Sequence, residues 1–168
     1  MRDFELRLAK DEDLARLQLI SAQARERYRA FPELAHIADA PPLPRGRFEA
    51  CRVEVAVGRE DPEPIGFVAV RLLDGSLYLD NISIAPDASG RGIGSTLLSS
   101  AINHAAALRV PAVSLTTFKE PPWNGPWFRK RGFQPMRGDQ IGAGLRGVME
   151  RQWQTLDPGS RETLAYFL

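Results

Sequence analysis

Between Ile82 and Leu98 the chain reads ISIAPDASGRGIGSTLL, an apolar alternation, a proline, three glycines in five residues and a leucine pair. The order dictates a strand, a tight turn and a helix. Ile82 and Ile84 alternate as a strand does, while Ile93, Leu97, Ala101, Ala105 and Leu108 recur at helical spacing, with Leu98 and Ile102 beside them. Upstream, Leu77 and Leu79 are apolar at odd positions, whereas Ile82 and Ile84 are apolar at even ones. A strand of period two keeps one buried face across that switch only by inserting a residue, which predicts a β-bulge near Asp80–Asn81. The glycine turn then has two readings. It is a plain tight turn, or it clears space for phosphate groups at the unpaired N–H groups that open a helix, with Arg91 adding charge. No Gly-Lys-Ser/Thr follows it, and its spacing is not that of a dinucleotide-binding turn.

The rest of the chain places this unit in a fold. Phe4, Leu6 and Leu8 alternate in a first strand. Asp11 is the expected N-cap of a helix carrying Leu14, Leu17, Ser21, Ala24 and Tyr28 and ending near Arg29. The stretch FPELAHIADAPPLPRGRF predicts a short helix and an irregular loop. Cys51, Val53, Val55 and Val57 line one face of a second strand, and Ile65–Leu73 form a third. Asp74-Gly75 is a hairpin signal leading to a fourth strand from Leu77. AVSLTTF predicts another strand, and Pro126–Arg131 a short helix stopped by Gly132. Phe133 begins a further strand, and LRGVMER reads as a last short one. We expect a single domain over residues 1–152. Residues 153–168 are expected as a C-terminal extension, docking as a small helix on this fold or on a second subunit to make a homodimer.

Composition narrows the function classes. The 168 residues carry a net charge of +1, which gives no reason to expect a nucleic-acid partner. A single cysteine, Cys51, excludes an internal disulfide framework and a cysteine-rich zinc site, and no metal site is expected. The start of the chain is too charged for a secretory h-region, and no apolar run reaches the length of a membrane span, so a cytoplasmic protein without a membrane partner is expected.

The bulged strand, RGIG, the helix, the next strand and then WNGPWFRKRGF together resemble the GNAT superfamily of acetyl-CoA-dependent N-acetyltransferases. The resemblance spans Phe4 to about Met149. The family's Gln/Arg-x-x-Gly-x-Gly/Ala loop falls on Ser89-Gly90-Arg91-Gly92-Ile93-Gly94, and its Asn and Tyr-x-x-x-Gly-Phe segment on Asn124 and Phe128–Phe133. Pro122-Trp123-Asn124-Gly125-Pro126 is similar to one subgroup's Pro-Trp-Asn-x-Pro stretch. The resemblance implies an α/β (α+β) fold, the acyl-CoA N-acyltransferase fold. Its sheet is mixed and mostly antiparallel, with a bulged, splayed fourth strand and helices on both faces. It implies that Ile82, Ser83 and Ile84 pair with the pantetheine arm of acetyl-CoA, and that Gly90 to Ser95 hold its diphosphate. Asn124 would lie near the arm or thioester, and Lys130 would reach a cofactor phosphate. An amine, from a small molecule or a peptide, would attack the thioester directly and release CoA.

Two positions depart from the pattern. Ser89 replaces a long side chain without altering the backbone cradle. Phe128 stands where many members carry a tyrosine that protonates the leaving thiolate, and phenylalanine has no proton to give. A thiol of pKa about 8.5 is a fair leaving group unaided. An alkylammonium of pKa ~10.4 also needs a base before it can attack. Asp80, at the expected bulge, is the first candidate, followed by Glu54, Glu33 and His36. For each, a structural reading stands beside the catalytic one, as it does for Cys51 as a core thiol and for His104 as a solvated helix residue. The rival to an enzyme is an acyl-CoA-binding sensor or scaffold of the same fold.

Overall fold

In the computed structural model, which describes residues 2–168, seven strands form one mixed sheet. They are β1 (Phe4–Leu8), β2 (Arg52–Gly58), β3 (Pro64–Leu73), β4 (Ser76–Ile84), β5 (Ala112–Phe118), β6 (Gln134–Pro135) and β7 (Arg161–Phe167). Their spatial order is β1-β2-β3-β4-β5-β7-β6. The β4–β5 pairing is parallel, through Leu77 with Val113 and Tyr78 with Ser114, while β1–β2, β2–β3, β5–β7 and β6–β7 are antiparallel. The described residues gather into two compact units, one of residues 2–71 and 80–101 and one of residues 72–79 and 102–168.

In the first unit, helix α1 (Leu14–Ala24) buries Leu14, Leu17, Ile20, Ser21 and Ala24, a stripe at successive intervals of three or one residues. It tightens into a 3-10 turn over Arg25–Ala30 that buries Tyr28. Asp11 does not cap it. Asp13 instead accepts the Lys10 N–H at 2.8 Å and two bonds from Arg7 at 2.7 and 3.1 Å. The Pro-rich segment forms a 3-10 turn (Ala35–Asp39) and helix α2 (Arg45–Glu49). Pro41, Pro42 and Pro44 offer no N–H to any regular ladder. Side chains from the α1 region fasten the segment through its carbonyls, Gln18 donating to Leu43 O at 2.7 Å and Arg25 to Pro41 O at 3.0 Å. Phe48 of α2 packs edge-on against Phe67, the partner of Val55 in the β2–β3 ladder. The adjacent Glu54 points the other way, to Ser100 of helix α3 (Ile93–Ala107). Helices therefore cover both faces of this part of the sheet.

The ladder between β3 and β4 carries the residue that the sequence parity demanded. Asp74 and Gly75, at φ 54° and 75°, make the expected two-residue hairpin turn and set Leu73 opposite Ser76. Counting inward from there sets Ile65 opposite Ile84. The Ala85 N–H nevertheless donates to Ile65 O at 2.8 Å, which needs one more residue on β4 than on β3. The surplus falls between Ser76 and Ala85, a bracket that contains Asp80–Asn81. Leu77, Tyr78 and Leu79 are buried in succession, so β4 is covered on both faces before the strand reaches Asp80.

The second unit corrects two expectations. LRGVMER is not a strand but part of helix α5 (Ala143–Gln152). Leu145, Val148 and Met149 fall on one helical face and pack with Tyr78, Leu73, Met136 and Ile141. The Asp74 carboxylate caps this helix from the hairpin, accepting the Gly144 and Leu145 N–H groups at 2.9 and 2.8 Å. Within residues 153–168, the apolar stretch is not a docking helix but strand β7, which pairs with β5 along its length and with β6 on its other edge. An interior strand buries Leu164 and Ala165 consecutively, so it lacks the alternation that marks a half-exposed one. Helix α4 (Gly125–Arg129) precedes Gly132, whose φ of +94° fits the expected stop.

Candidate functional site

The glycine turn is built for an open approach. Gly90 and Gly92 adopt φ of +80° and +79°, and a Cβ placed on either meets nothing within 4 Å. The Thr96 N–H closes the first helical bond of α3, to Gly92 O at 3.1 Å. The N–H groups of Ile93 and Gly94 therefore lie ahead of any intrahelical acceptor, at the positive end of the helix dipole. Ser89, Gly90, Arg91 and Gly92 are exposed, Gly94 and Ser95 half-buried, and Ile93 is buried as the anchor of the turn. Arg91 bonds Asp3 at 2.6 Å, an ion pair between exposed side chains that holds the Asp3 carboxyl below the usual carboxylate range. Such surface pairs exchange partners at little cost.

Next to this turn, Ile82 and Ile84 are half-buried, and Ser83, between them, is buried with its hydroxyl donating to Asn81 Oδ1 at 2.7 Å. Gly66 lies across from this end of β4. A Cβ there would come within 2.9 Å of Ile84 and 3.2 Å of Ile93, so the strand end and the start of α3 close over it. The first unit thus brings together Asp80, Ile82, Ser83, Ile84 and the turn from Ser89 to Ser95.

Asp80 is neither solvated nor bound to disturbed backbone. Its carboxylate accepts a bond from Arg47 of α2 at 2.9 Å and is only 12% exposed. Glu54 is committed as well, accepting the Ser100 hydroxyl. Glu33 and His36 are exposed on the Pro-rich segment. Cys51 is half-buried, and burial, helped by Asp80, pushes its thiol up to about 11, which leaves it protonated at neutral pH and a poor nucleophile. A cavity of about 290 Å³ lined by Leu8, Leu14, Phe48, Cys51 and Val53 holds none of the nominated site residues.

The second unit holds Asn124, Phe128 and Lys130. Asn124, half-buried, opens α4, and its carbonyl accepts the Phe128 N–H at 3.1 Å. Phe128 is 5% exposed and sits edge-on to Trp127 and Phe133 at 5.0 and 5.4 Å, as a core aromatic. The basic triplet divides. Arg129 pairs with Glu162, Arg131 lies over the Trp127 ring at 3.8 Å and Lys130 is exposed. Sequence reasoning missed Arg25 and Arg47. The only signal for Arg47 was a basic residue within PRGRF, and its partner Asp80 lies 33 positions away.

Among the described residues, no cluster of His, Cys, Asp or Glu could hold a metal ion, and no helix is long and apolar enough to cross a membrane. The acetyltransferase (GNAT) family profile matches residues 16–133, well over half of the chain. Solved structures share the fold at low identity. A GCN5-related N-acetyltransferase from Rhodopseudomonas palustris superposes with a TM-score of 0.70 at 19% identity, over 100% of this chain and 98% of that one. The PaiA N-acetyltransferase of Thermoplasma acidophilum, in complex with coenzyme A, gives 0.68 at 14% identity, over 98% and 99%. The N-acetylglutamate synthase of Neisseria gonorrhoeae, with coenzyme A and N-acetyl-glutamate, gives 0.68 at 16% identity, over 100% of this chain and 36% of that one.

Proposed function

The chain belongs to the acetyltransferase (GNAT) family, and from that premise we propose that it moves an acetyl group from acetyl-CoA to a primary amine by direct attack. The observation that carries the reading is the open turn at Gly90 and Gly92, where a Cβ would fill the space that a diphosphate needs. Acetyl-CoA supplies an activated thioester; the chain binds, orients and deprotonates. The N–H groups from Gly90 to Ser95 receive the diphosphate. The backbone of Ile82, Ser83 and Ile84, at the end of β4, pairs with the amides of the pantetheine arm as an added strand would. A strand N–H there polarises the acetyl carbonyl as charge develops on its oxygen. Asp80 takes the proton from the ammonium. Its oxygen must first part from Arg47, so the base is held in reserve until the acceptor arrives.

A second reading, an acyl-CoA-binding sensor without turnover, is favoured by Phe128, which brings no proton donor to the leaving thiolate. Thiol release from acetyl-CoA against a broad amine panel separates the two. Turnover with any amine supports the enzyme, while binding with no turnover moves the assignment to the sensor.

A further inference from the structure

We infer that the acceptor amine also carries a carboxylate, and that Arg25 and Arg47 receive it. The inference rests on the acetyl-transfer reading and names the substrate class of that site. Arg25 sits where α1 tightens into its 3-10 turn, and spends one guanidinium nitrogen on Pro41 O at 3.0 Å. Its Nε–H is buried and has no hydrogen-bond partner. A buried charged donor left unmade is costly, so a stable fold keeps one where something else completes it. Arg47 follows on the segment that Arg25 fastens, and its visible acceptor is Asp80. Arg25 takes part in none of the described ion pairs, whereas Arg47 has the Asp80 carboxylate. Arg25 donates to Pro41 O, six positions before Arg47 on the same segment; burial first, and then the charge of Arg47, hold Arg25 below the ordinary arginine range. Paired guanidiniums of this kind suit a planar anion with two oxygens.

The exchange has a chemical consequence. A substrate carboxylate that bonds the Arg25 Nε–H and the Arg47 fork releases the Asp80 oxygens from Arg47. Asp80 then accepts a proton from the same substrate's ammonium. The neutral nitrogen forms the C–N bond as the C–S bond breaks, the sulfur leaves with the electron pair as thiolate, and the proton that the new amide nitrogen sheds passes to that thiolate through solvent, giving the N-acetyl product and free CoA thiol. An amine without the anion binds less well and also leaves Asp80 engaged, so selection appears in kcat as well as KM.

The test uses α- and ω-amino acids, each beside its own amide, with acetyl-CoA, reading thiol release. In parallel, the melting temperature is read with CoA and the same compounds. The carboxylate form of the best substrate is expected to exceed its amide about 10- to 100-fold in kcat/KM, the span of one or two charge-assisted bonds. Arg25→Gln and Arg47→Gln each bring that ratio towards one, and Arg25→Lys, which keeps the charge but loses the Nε–H, falls between. A CoA-induced melting shift retained in the variants shows that they are folded with the cofactor site intact. Equal turnover of acids and amides by the wild type overturns the inference and leaves acetyl transfer standing. A ratio undiminished in the Gln variants overturns it too, as does loss of the CoA shift, which would assign the arginines to the cofactor. If no amine releases thiol, the acetyl-transfer reading fails, and the melting experiment still decides the carboxylate site. Amino acids that raise the wild-type melting temperature, but not that of Arg25→Gln, support it, and no difference between acids and amides refutes it.

Discussion

Gly92→Val separates a ligand cradle from an ordinary turn, and Gly75 provides the matched control. Gly92 has φ +79° and Gly75 φ +75°, and a Cβ on either finds nothing within 4 Å. Without ligand, each substitution therefore costs backbone strain and no clash, at least about 1–2 kcal/mol for an L-residue in the left-handed region. For a chain of this length, 1 kcal/mol shifts the melting temperature by roughly 2–4 °C, so both variants should melt about 2–8 °C below the wild type. Acetyl-CoA at about 100 times its Kd adds about 2.7 kcal/mol, a rise of some 5–11 °C. Gly75→Val should keep that rise, because the hairpin tip lies outside the turn at α3. Gly92→Val should lose most of it, because isopropyl carbons would stand where the diphosphate oxygens approach the N–H groups. The assay is a thermal melt of the three proteins across an acetyl-CoA titration. If Gly92→Val rises as far as the wild type, or if Gly75→Val loses the rise equally, the cradle is refuted and the glycines only make a turn.

Three further outcomes are expected. Asp13→Asn should cost about 1.5–3 kcal/mol at pH 7, since Arg7 donates twice to this buried carboxylate. The Arg7 bonds, then the Lys10 N–H, hold the Asp13 pKa below its unfolded value near 3.9. The stabilisation is therefore complete above that value and is lost as pH falls through the folded pKa, so denaturant melts of the two proteins should converge in acid. Phe128→Tyr should lower stability by about 1–3 kcal/mol, by burying a hydroxyl between Trp127 and Phe133, while changing thiol release less than tenfold; a gain of about 100-fold would show that thiolate protonation limits the reaction. Asp74→Ala should cost about 1–2 kcal/mol through the lost cap of α5, and hydrogen exchange should quicken first at Gly144 and Leu145.

What the sequence disclosed follows the range of the forces involved. The Asp74-Gly75 turn is decided by two residues that accept positive φ, and it was legible. So was the surplus residue of β4, because apolar parity records it locally. LRGVMER was misread because a seven-residue window with Leu145, Val148 and Met149 fits short periods of either kind, and the cap that settles it comes from Asp74, seventy positions earlier. LAYFL was misread because burial on both faces of β7, at Leu164 and Ala165, erases the alternation that identifies strands. Of the site, the glycine turn was visible because glycine itself marks the backbone. The state of Asp80 was not. A lone carboxylate and a lone guanidinium in a Pro-rich stretch announce no pairing, and only the folded chain sets them 2.9 Å apart.

The bond from the hairpin tip to α5 also orders events in time. The turn at Asp74-Gly75 closes over two residues, and hairpins of this kind form in about 1–10 µs. Helix α5 is ten residues long, too short to persist alone in water. It gains its cap from Asp74 and its apolar cover from Tyr78 and Leu73 only after some seventy residues of intervening chain have been gathered in. The hairpin is thus the template and α5 the late arrival. Mutations at Leu145 or Val148 should accelerate unfolding while leaving the folding rate nearly unchanged, and a chain caught early in folding would carry an exposed Tyr78 as its optical signature.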